Sequence, residues 1–70
     1  MTTVIKSHKN QRYYICIELS KDNLYTVSAC PLYDTHYCGY PIREMIYPLN
    51  ERKQALATYN RYVKKYTENY

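Results

Sequence analysis

Two neighbouring stretches that alternate between apolar and polar residues constrain the fold of this chain most strongly. The first, YYICIEL, occupies 13–19, and the second, LYTVSAC, occupies 24–30. A period of two is typical of β-strands with one face buried. The polar stretch SKDN between them has the composition of a hairpin turn. The sequence therefore predicts two antiparallel strands, over about 12–19 and 24–30.

Two further strands are predicted on either side of this hairpin. The stretch TTVIKS at 2–7 is short and partly β-branched, which favours an edge strand, and the polar HKNQ after it resembles a turn. The stretch YPIREMIY at 40–47 is apolar enough for a strand, although its register is ambiguous because Glu44 shares a face with Ile42 and Ile46. Proline lacks the amide donor of a β-ladder. Regular pairing is thus expected to end near Pro31, and Pro41 makes 40–47 an edge strand.

A helix is predicted over about 51–66 from the spacing of its apolar side chains. Leu56, Tyr59, Val63 and Tyr66 recur at i, i+3, i+7 and i+10, which is the periodicity of an amphipathic helix. Asn50 precedes this segment and is a favourable N-cap residue.

The 70 residues are predicted to form a single domain, 1–70. Its fold class is α+β: a small antiparallel meander sheet of three to four strands, with one C-terminal amphipathic helix packed on one face. No second helix is available for the other sheet face. That face is expected to meet solvent, a second copy or a binding partner.

The cysteine content and the N-terminal sequence favour the cytoplasm. The chain has 3 cysteines, whereas small secreted domains held by disulfides usually have an even number. The N-terminal sequence has no apolar core of a signal peptide. No apolar run approaches the roughly 20 residues of a membrane span, so no membrane partner is expected.

The stretch CPLYDTHYCGY at 30–40 contains the residue types of a metal or nucleophile site. Cys30, His36 and Cys38 are not spaced like the paired cysteines of structural zinc sites, so we interpret the stretch as a turn and predict no metal and no cofactor. Whether these three side chains bind a metal stays open at this stage. Catalytic cysteines need a base positioned by a third group in a cleft, and the sequence gives no sign of one. The chain is predicted not to be an enzyme.

A binding surface is predicted where tyrosines accompany basic residues. The sequence has 11 Tyr, no Phe or Trp and a net charge of +4. Arg12 and Tyr14, with Cys16 and Glu18, are expected on the uncovered sheet face, and Arg43 and Tyr47 join them if Ile42 and Ile46 point to the helix. The turn adds Tyr33, Tyr37 and Tyr40. The tyrosines at 13, 25, 59, 62 and 66 fall on inward faces and are expected to fill the core. The predicted partner-binding residues are thus Arg12, Tyr14, Tyr33, Tyr37, Tyr40 and Arg43.

Two classes of partner fit this surface. Aromatic rings beside cations can stack the bases of single-stranded nucleic acid, and nucleic acid is slightly favoured. The alternative is a protein–protein interaction module or an inhibitor, and such a module could also form a homodimer through this face. Compact, tyrosine-rich chains of this kind resemble small accessory proteins of phages and mobile elements. At the level of fold alone, a meander followed by a helix resembles the amino-terminal domain of certain transposon integrases. It also resembles single-strand-binding transcriptional coactivators.

Overall fold

The computed structural model describes residues 2–33, 37–38 and 40–68. These residues form five strands, a short 3-10 turn and one α-helix. The strands are β1 (Thr3–Lys9), β2 (Tyr13–Leu19), β3 (Leu24–Tyr33), β4 (Tyr37–Cys38) and β5 (Arg43–Pro48); the 3-10 turn spans Leu49–Glu51 and leads into α1 (Arg52–Glu68).

The strands form one antiparallel sheet in which β3 has the most neighbours. β1 pairs with β2 and β2 pairs with β3, as hairpin-length connections require. The other edge of β3 pairs with β5, and β4 pairs only with the last residues of β3. The single helix packs across β2, β3 and β5 on one face. The predicted α+β meander with one C-terminal helix is confirmed.

The core lies between α1 and this face, which we call the helix side of the sheet. Ile15 and Ile17 of β2 and Val27 of β3 are fully buried there, beneath Ala55 and Tyr59 of α1. Burying each large aliphatic side chain contributes about 1.5–3 kcal/mol relative to exposure. The alternation in β2 and β3 thus holds the helix against the sheet.

Two strands extend further than the sequence predicts. β1 includes His8 and Lys9, which were expected in a turn. β3 continues through Pro31, where pairing was expected to end. The amide of Leu32 donates to the carbonyl of Arg12 at 2.7 Å, so Pro31 lies in a non-hydrogen-bonded pair with Tyr13. At such a position the missing proline N–H removes no bond to β2.

The structure shows which face of β5 points to the helix: the face that carries Tyr47. Tyr47 lies opposite Tyr25 and Met45 lies opposite Val27, so both point to the helix side, whereas Ile46 is 57% exposed on the other face. The hydroxyl of Tyr47 also shares a 2.6 Å hydrogen bond with Thr58 Oγ1 of α1. The arrangement in which Ile42 and Ile46 point to the helix is therefore wrong.

Asparagine, not glycine, shapes the described hairpin turns. Asn10 Oδ1 accepts hydrogen bonds from the amides of Arg12 and Tyr13 at 2.8 and 2.7 Å. Asn23 adopts a positive φ of 61°, which asparagine tolerates better than most residues. Asn50, predicted as the helix N-cap, lies instead inside the 3-10 turn, because this turn begins earlier, after Pro48.

Candidate nucleic-acid interface

Basic residues from several elements meet at one end of the sheet. β1 ends there, β2 begins there, and β5 begins there, opposite the later part of β3. α1 also ends there, because Thr58 contacts Tyr47 near the close of β5 and the later Tyr66 contacts Tyr13. We call this region the basic end. Its basic residues, all exposed, are Lys9, Arg12, Arg43, Arg61, Lys64 and Lys65.

Three tyrosines pack together on the helix side of the basic end. The ring centroids of Tyr13 and Tyr66 are 4.8 Å apart, and those of Tyr62 and Tyr66 are 6.2 Å apart in an edge-to-face arrangement. Lys65 Nζ lies 5.5 Å from the Tyr66 centroid, within the range of a cation–π contact. All three rings are half-buried, so each contributes to the core and keeps part of its surface accessible.

Two arginines from different elements influence the pKa of the Tyr62 phenol. Burial raises the pKa of Tyr62, and the neighbouring Tyr47 and Tyr66 raise it further. The guanidinium groups of Arg43 and Arg61 act in the opposite direction and lower this pKa. Arg43 comes from β5 and Arg61 from α1, so the fold brings positive charge from two elements into the neighbourhood of a partly exposed aromatic ring.

The described acidic side chains lie away from this cluster. Glu18 and Glu44 lie opposite Thr26 and Ser28 and point to the face that α1 does not cover, which we call the open face. Asp22 and Glu51 belong to the hairpin turn and the 3-10 turn at the far end of the sheet. These four carboxylates thus belong to the open face or to the far end of the sheet.

The predicted binding residues of the turn also belong to the basic end. Arg12 is exposed in the turn before β2. Tyr40 precedes β5 and is 90% exposed, which makes it a fully accessible aromatic ring. Tyr33 and Tyr37 face each other in the β3–β4 pair. The side chains of Tyr33, Tyr37 and Cys38 lie outside the described residues, as does His36 entirely.

Arg43 and Tyr47 do not join Tyr14 on the open face. Both point to the helix side, opposite Ala29 and Tyr25. The sequence pattern left the two registers of β5 equally plausible, and the contacts of Tyr47 with α1 separate them. The predicted set is therefore divided, with Tyr14 on one face and Arg43 on the other.

The open face is less accessible than expected. Tyr14 is half-buried there, and Cys16, Ser28 and Cys30 at its centre are buried although no helix covers them. Burial raises the pKa of Tyr14. The neighbouring Cys16 and Glu18 raise this pKa further, whereas a hydrogen bond with the Ser7 side chain lowers it. The face thus presents small polar groups, the carboxylates of Glu18 and Glu44, and the cation of Lys9, which lies opposite Tyr14.

A thiol at the centre of the open face is held in its protonated form. Cys16 Sγ lies 3.4 Å from Glu18 Oε1 and 3.4 Å from Ser28 Oγ. Burial raises the pKa of the Cys16 thiol, and the adjacent carboxylate of Glu18 also raises it. A nucleophilic cysteine needs the opposite shift, because the thiolate is the reactive species. Cys16 therefore acts as a hydrogen-bonding structural residue.

Within residues 2–33, 37–38 and 40–68, no group of three or more His, Cys, Asp or Glu side chains is arranged to hold a metal ion. In the same part of the chain there is no pocket that could enclose a small ligand. The one helix that the structure describes lacks the length and hydrophobicity needed to cross a lipid bilayer.

Sequence reasoning missed the contribution of α1 to this region. No residue of the helix was among the predicted binding residues, and Tyr62 and Tyr66 were assigned to the core. The signal that could have found them is their position in the last part of the helix, on the side that meets the start of β2. This position indicates a site only when the direction of the helix and the register of β5 are known, and the sequence left the register of β5 ambiguous.

No protein-family model, curated protein or solved structure matches this chain. What the basic end does is therefore inferred from its own residues.

Proposed function

We propose that this protein is a non-enzymatic module that binds single-stranded nucleic acid at the basic end. The observation that carries the proposal is the pairing, at one end of the sheet, of six exposed cations from several elements with the partly exposed rings of Tyr13, Tyr62 and Tyr66. Such a pairing offers phosphate contacts beside a surface for a base. The open face, which carries Glu18 and Glu44, is not part of the proposed site.

The charge distribution supports a polyanionic ligand. Neutralising backbone phosphates releases condensed counterions, which supplies most of the sequence-independent affinity of nucleic-acid-binding proteins. Six of the chain's ten basic residues lie at the basic end, and those on α1 follow one another along its last part: Arg61, Lys64 and Lys65. These residues are proposed to follow the phosphate backbone.

The aromatic residues support a single strand over a duplex. Unpaired bases expose their flat faces, and stacking one base on an aromatic side chain contributes about 1–3 kcal/mol. Tyr40 has the accessibility that stacking requires, whereas Tyr62 and Tyr66 offer only part of each ring. We therefore propose Tyr40 as the main stacking residue. Tyr33 and Tyr37 remain proposed contacts by their place in the sequence.

The experiment that tests the proposal compares two double variants of equal charge. Arg43→Gln with Arg61→Gln removes two positive charges at the basic end, and Arg52→Gln with Lys53→Gln removes two from the first turn of the same helix. From Arg52 to Arg61 the helix axis advances about 14 Å at 1.5 Å per residue, beyond the screening length of about 8 Å at physiological salt. All four side chains are exposed, so both variants should fold.

The expected result is a selective loss of affinity in the first variant. Fluorescence anisotropy with a labelled oligothymidine should show weakening of tenfold or more for Arg43→Gln with Arg61→Gln, because each lost phosphate contact also removes counterion release. Arg52→Gln with Lys53→Gln should bind within about twofold of the unmodified protein, since charge at that distance is largely screened by salt. Equal weakening in both would mean that net charge alone, without a site, accounts for binding.

A protein partner remains the alternative, and the apolar side chains exposed on β5 favour a protein contact there. Ile42, Met45 and Ile46 are each about half exposed. Because they lie along an edge strand in which Arg43 is the one basic residue, we treat that edge as a second surface next to the basic end. Tight binding of an oligonucleotide would not exclude it.

We also propose that the protein works in the reducing cytoplasm. The chain has 3 cysteines, and Cys16 among them is a buried free thiol. Free cysteines persist where glutathione and thioredoxin keep thiols reduced. This supports the compartment that the odd cysteine count favours.

A further inference from the structure

The two edges of the sheet differ in how they are protected against pairing with another strand. On β1 the register shifts at Ile5, and Lys6 and Lys9 lie along the strand. Bulges and lysines are common devices against edge-to-edge association. β5 has no lysine, and between Glu44 and Tyr47 it exposes two adjacent apolar side chains, Met45 at 45% and Ile46 at 57%. Among the described residues, no strand pairs with its outer edge.

Hydrogen bonds at the edge of β3 establish which backbone groups face β5. The amide of Leu32 donates to the carbonyl of Arg12, so Leu32 faces β2. In an antiparallel ladder the backbone N–H and C=O of successive residues point to alternate sides. Residues at odd positions of β3 therefore direct these groups to β5: Tyr25, Val27 and Ala29.

The same alternation shows which backbone N–H and C=O groups of β5 do not bond to β3. Arg43, Met45 and Tyr47 are the partners of these β3 residues, so their backbone groups bond to β3. Glu44 and Ile46 lie between them and direct their N–H and C=O groups outward. The outer edge of β5 thus presents two donors and two acceptors in strand geometry.

We propose that a second copy of this chain occupies this edge, pairing β5 with β5 about a two-fold axis at Met45. In this register Glu44 of each copy opposes Ile46 of the other, and every outward N–H and C=O of these two residues has a partner. Met45 opposes its own counterpart, which joins the exposed apolar side chains of both copies. The two sheets become one continuous sheet, and both helices lie on the same side of it.

Neighbouring registers are less favourable. A two-fold axis at Glu44 sets the two Glu44 carboxylates against each other, which is destabilising for directly opposed like charges. An axis at Ile46 sets Glu44 opposite Pro48, which has no N–H to donate. The register centred on Met45 avoids both defects and places Arg43 opposite the partly exposed ring of Tyr47.

The charge distribution of the whole chain also favours this arrangement. Antiparallel pairing of β5 directs the basic end of one copy toward the far end of the other. The like-charged basic ends are thereby kept apart. Assembly through the basic ends themselves would bring six cations against six. A two-fold dimer through β5 is thus the self-contact that a chain with a net charge of +4 tolerates best.

Sedimentation equilibrium across micromolar concentrations tests the assembly. The unmodified protein should have the mass of a dimer, and Met45→Lys should have the mass of a monomer, because a lysine at the axis opposes its own copy. The matched control is Val4→Lys, which places the same charge on a side chain of similar exposure, 50%, on β1. It should remain dimeric. Circular dichroism establishes that each variant is folded.

Disulfide trapping tests the register without depending on the stability of Met45→Lys. In a Cys38→Ser background, Met45→Cys should form a cross-linked dimer on mild oxidation, because Cβ atoms in a non-hydrogen-bonded pair lie close enough for a disulfide. Val4→Cys in the same background should stay uncross-linked.

Three outcomes would overturn the proposal: a monomeric unmodified protein, a dimer that survives Met45→Lys, or cross-linking at Val4→Cys in preference to Met45→Cys. A protein that is monomeric alone but binds another chain through β5 falls under the first outcome.

Discussion

Single side chains at the centre of the open face show how this small protein fills space without a second helix. Cys16 is only 3% exposed, and it is hydrogen-bonded to Glu18 and Ser28. A thiol is small enough to fit between strands and can donate to a carboxylate. The buried row of polar groups thereby has partners, as buried polar atoms generally require.

The protonated state of Cys16 leads to a prediction about reactivity and pH. Burial raises the pKa of Cys16 above its ordinary 9.0 in the folded state, so the neutral thiol stabilises the fold. This contribution is fully present below the unfolded pKa and is lost as pH rises through the folded pKa. Alkylation by iodoacetamide at neutral pH should therefore be much slower in the folded protein than in urea. Peptide mass spectrometry identifies the modified cysteine.

The pH dependence of stability provides a second test of the protonated thiol. Unfolding free energies measured in urea should fall as pH rises above the ordinary thiol pKa, and Cys16→Ala should lose part of this alkaline dependence. The buried phenols of Tyr14, Tyr59 and Tyr62 contribute in the same direction, because burial also raises their pKa. Rapid alkylation of Cys16 in the native protein would contradict the buried, hydrogen-bonded position of its thiol.

At the scale of elements, α1 and the sheet approach closely because a small residue lies between them. Ala55 is fully buried in the core, whereas Ala57, two residues later on the same helix, is exposed. Helical periodicity places these two alanines on different faces. They form a matched pair for testing the packing of the helix on the sheet.

Enlarging the two alanines should have opposite consequences. Ala55→Leu forces extra volume into a filled core and should lower the free energy of unfolding by about 1–3 kcal/mol. Ala57→Leu should change it by less than about 0.5 kcal/mol, as exposed substitutions usually do. Urea unfolding followed by circular dichroism measures both. Similar losses in the two variants would mean that α1 does not pack on the sheet through Ala55.

The elements with strict apolar periodicity could be predicted from the sequence. The elements whose placement depends on which residues of a strand bond to which neighbouring strand could not. The alternation in β2 and the spacing in α1 each leave one choice for the buried face. In β5 both faces mix apolar and polar residues, so the sequence alone could not show that Tyr47 reaches Thr58. The continuation of β3 through Pro31 depends on whether that position needs an amide donor, which only the pairing with Tyr13 determines.

The candidate site shows the same division. Tyr40 and Arg12 could be predicted because an aromatic ring and a cation in turns are generally exposed. The contributions of Arg61, Tyr62 and Tyr66 could not, since they depend on α1 running toward the start of β2. Convergence of distant segments is a property of the assembled fold.

At the scale of the whole molecule, charge and apolar surface are separated. Cations and partly exposed tyrosines are concentrated at the basic end, while exposed aliphatic side chains follow the outer edge of β5. A chain of 70 residues buries only about 60% of its unfolded surface, so a small domain gains from self-association. The two proposed contacts share Arg43, which belongs both to the basic end and to β5, and otherwise use different residues.

The salt dependence of oligonucleotide binding tests the central claim most directly. Affinity for a labelled oligothymidine should fall linearly with salt on logarithmic axes, because each phosphate contact on a single strand contributes about 0.7 to the slope. Replacing Arg43 and Arg61 with glutamine should reduce the magnitude of that slope by about 1.4. No binding at low salt, or a slope that both substitutions leave unchanged, would contradict a phosphate-binding site at the basic end.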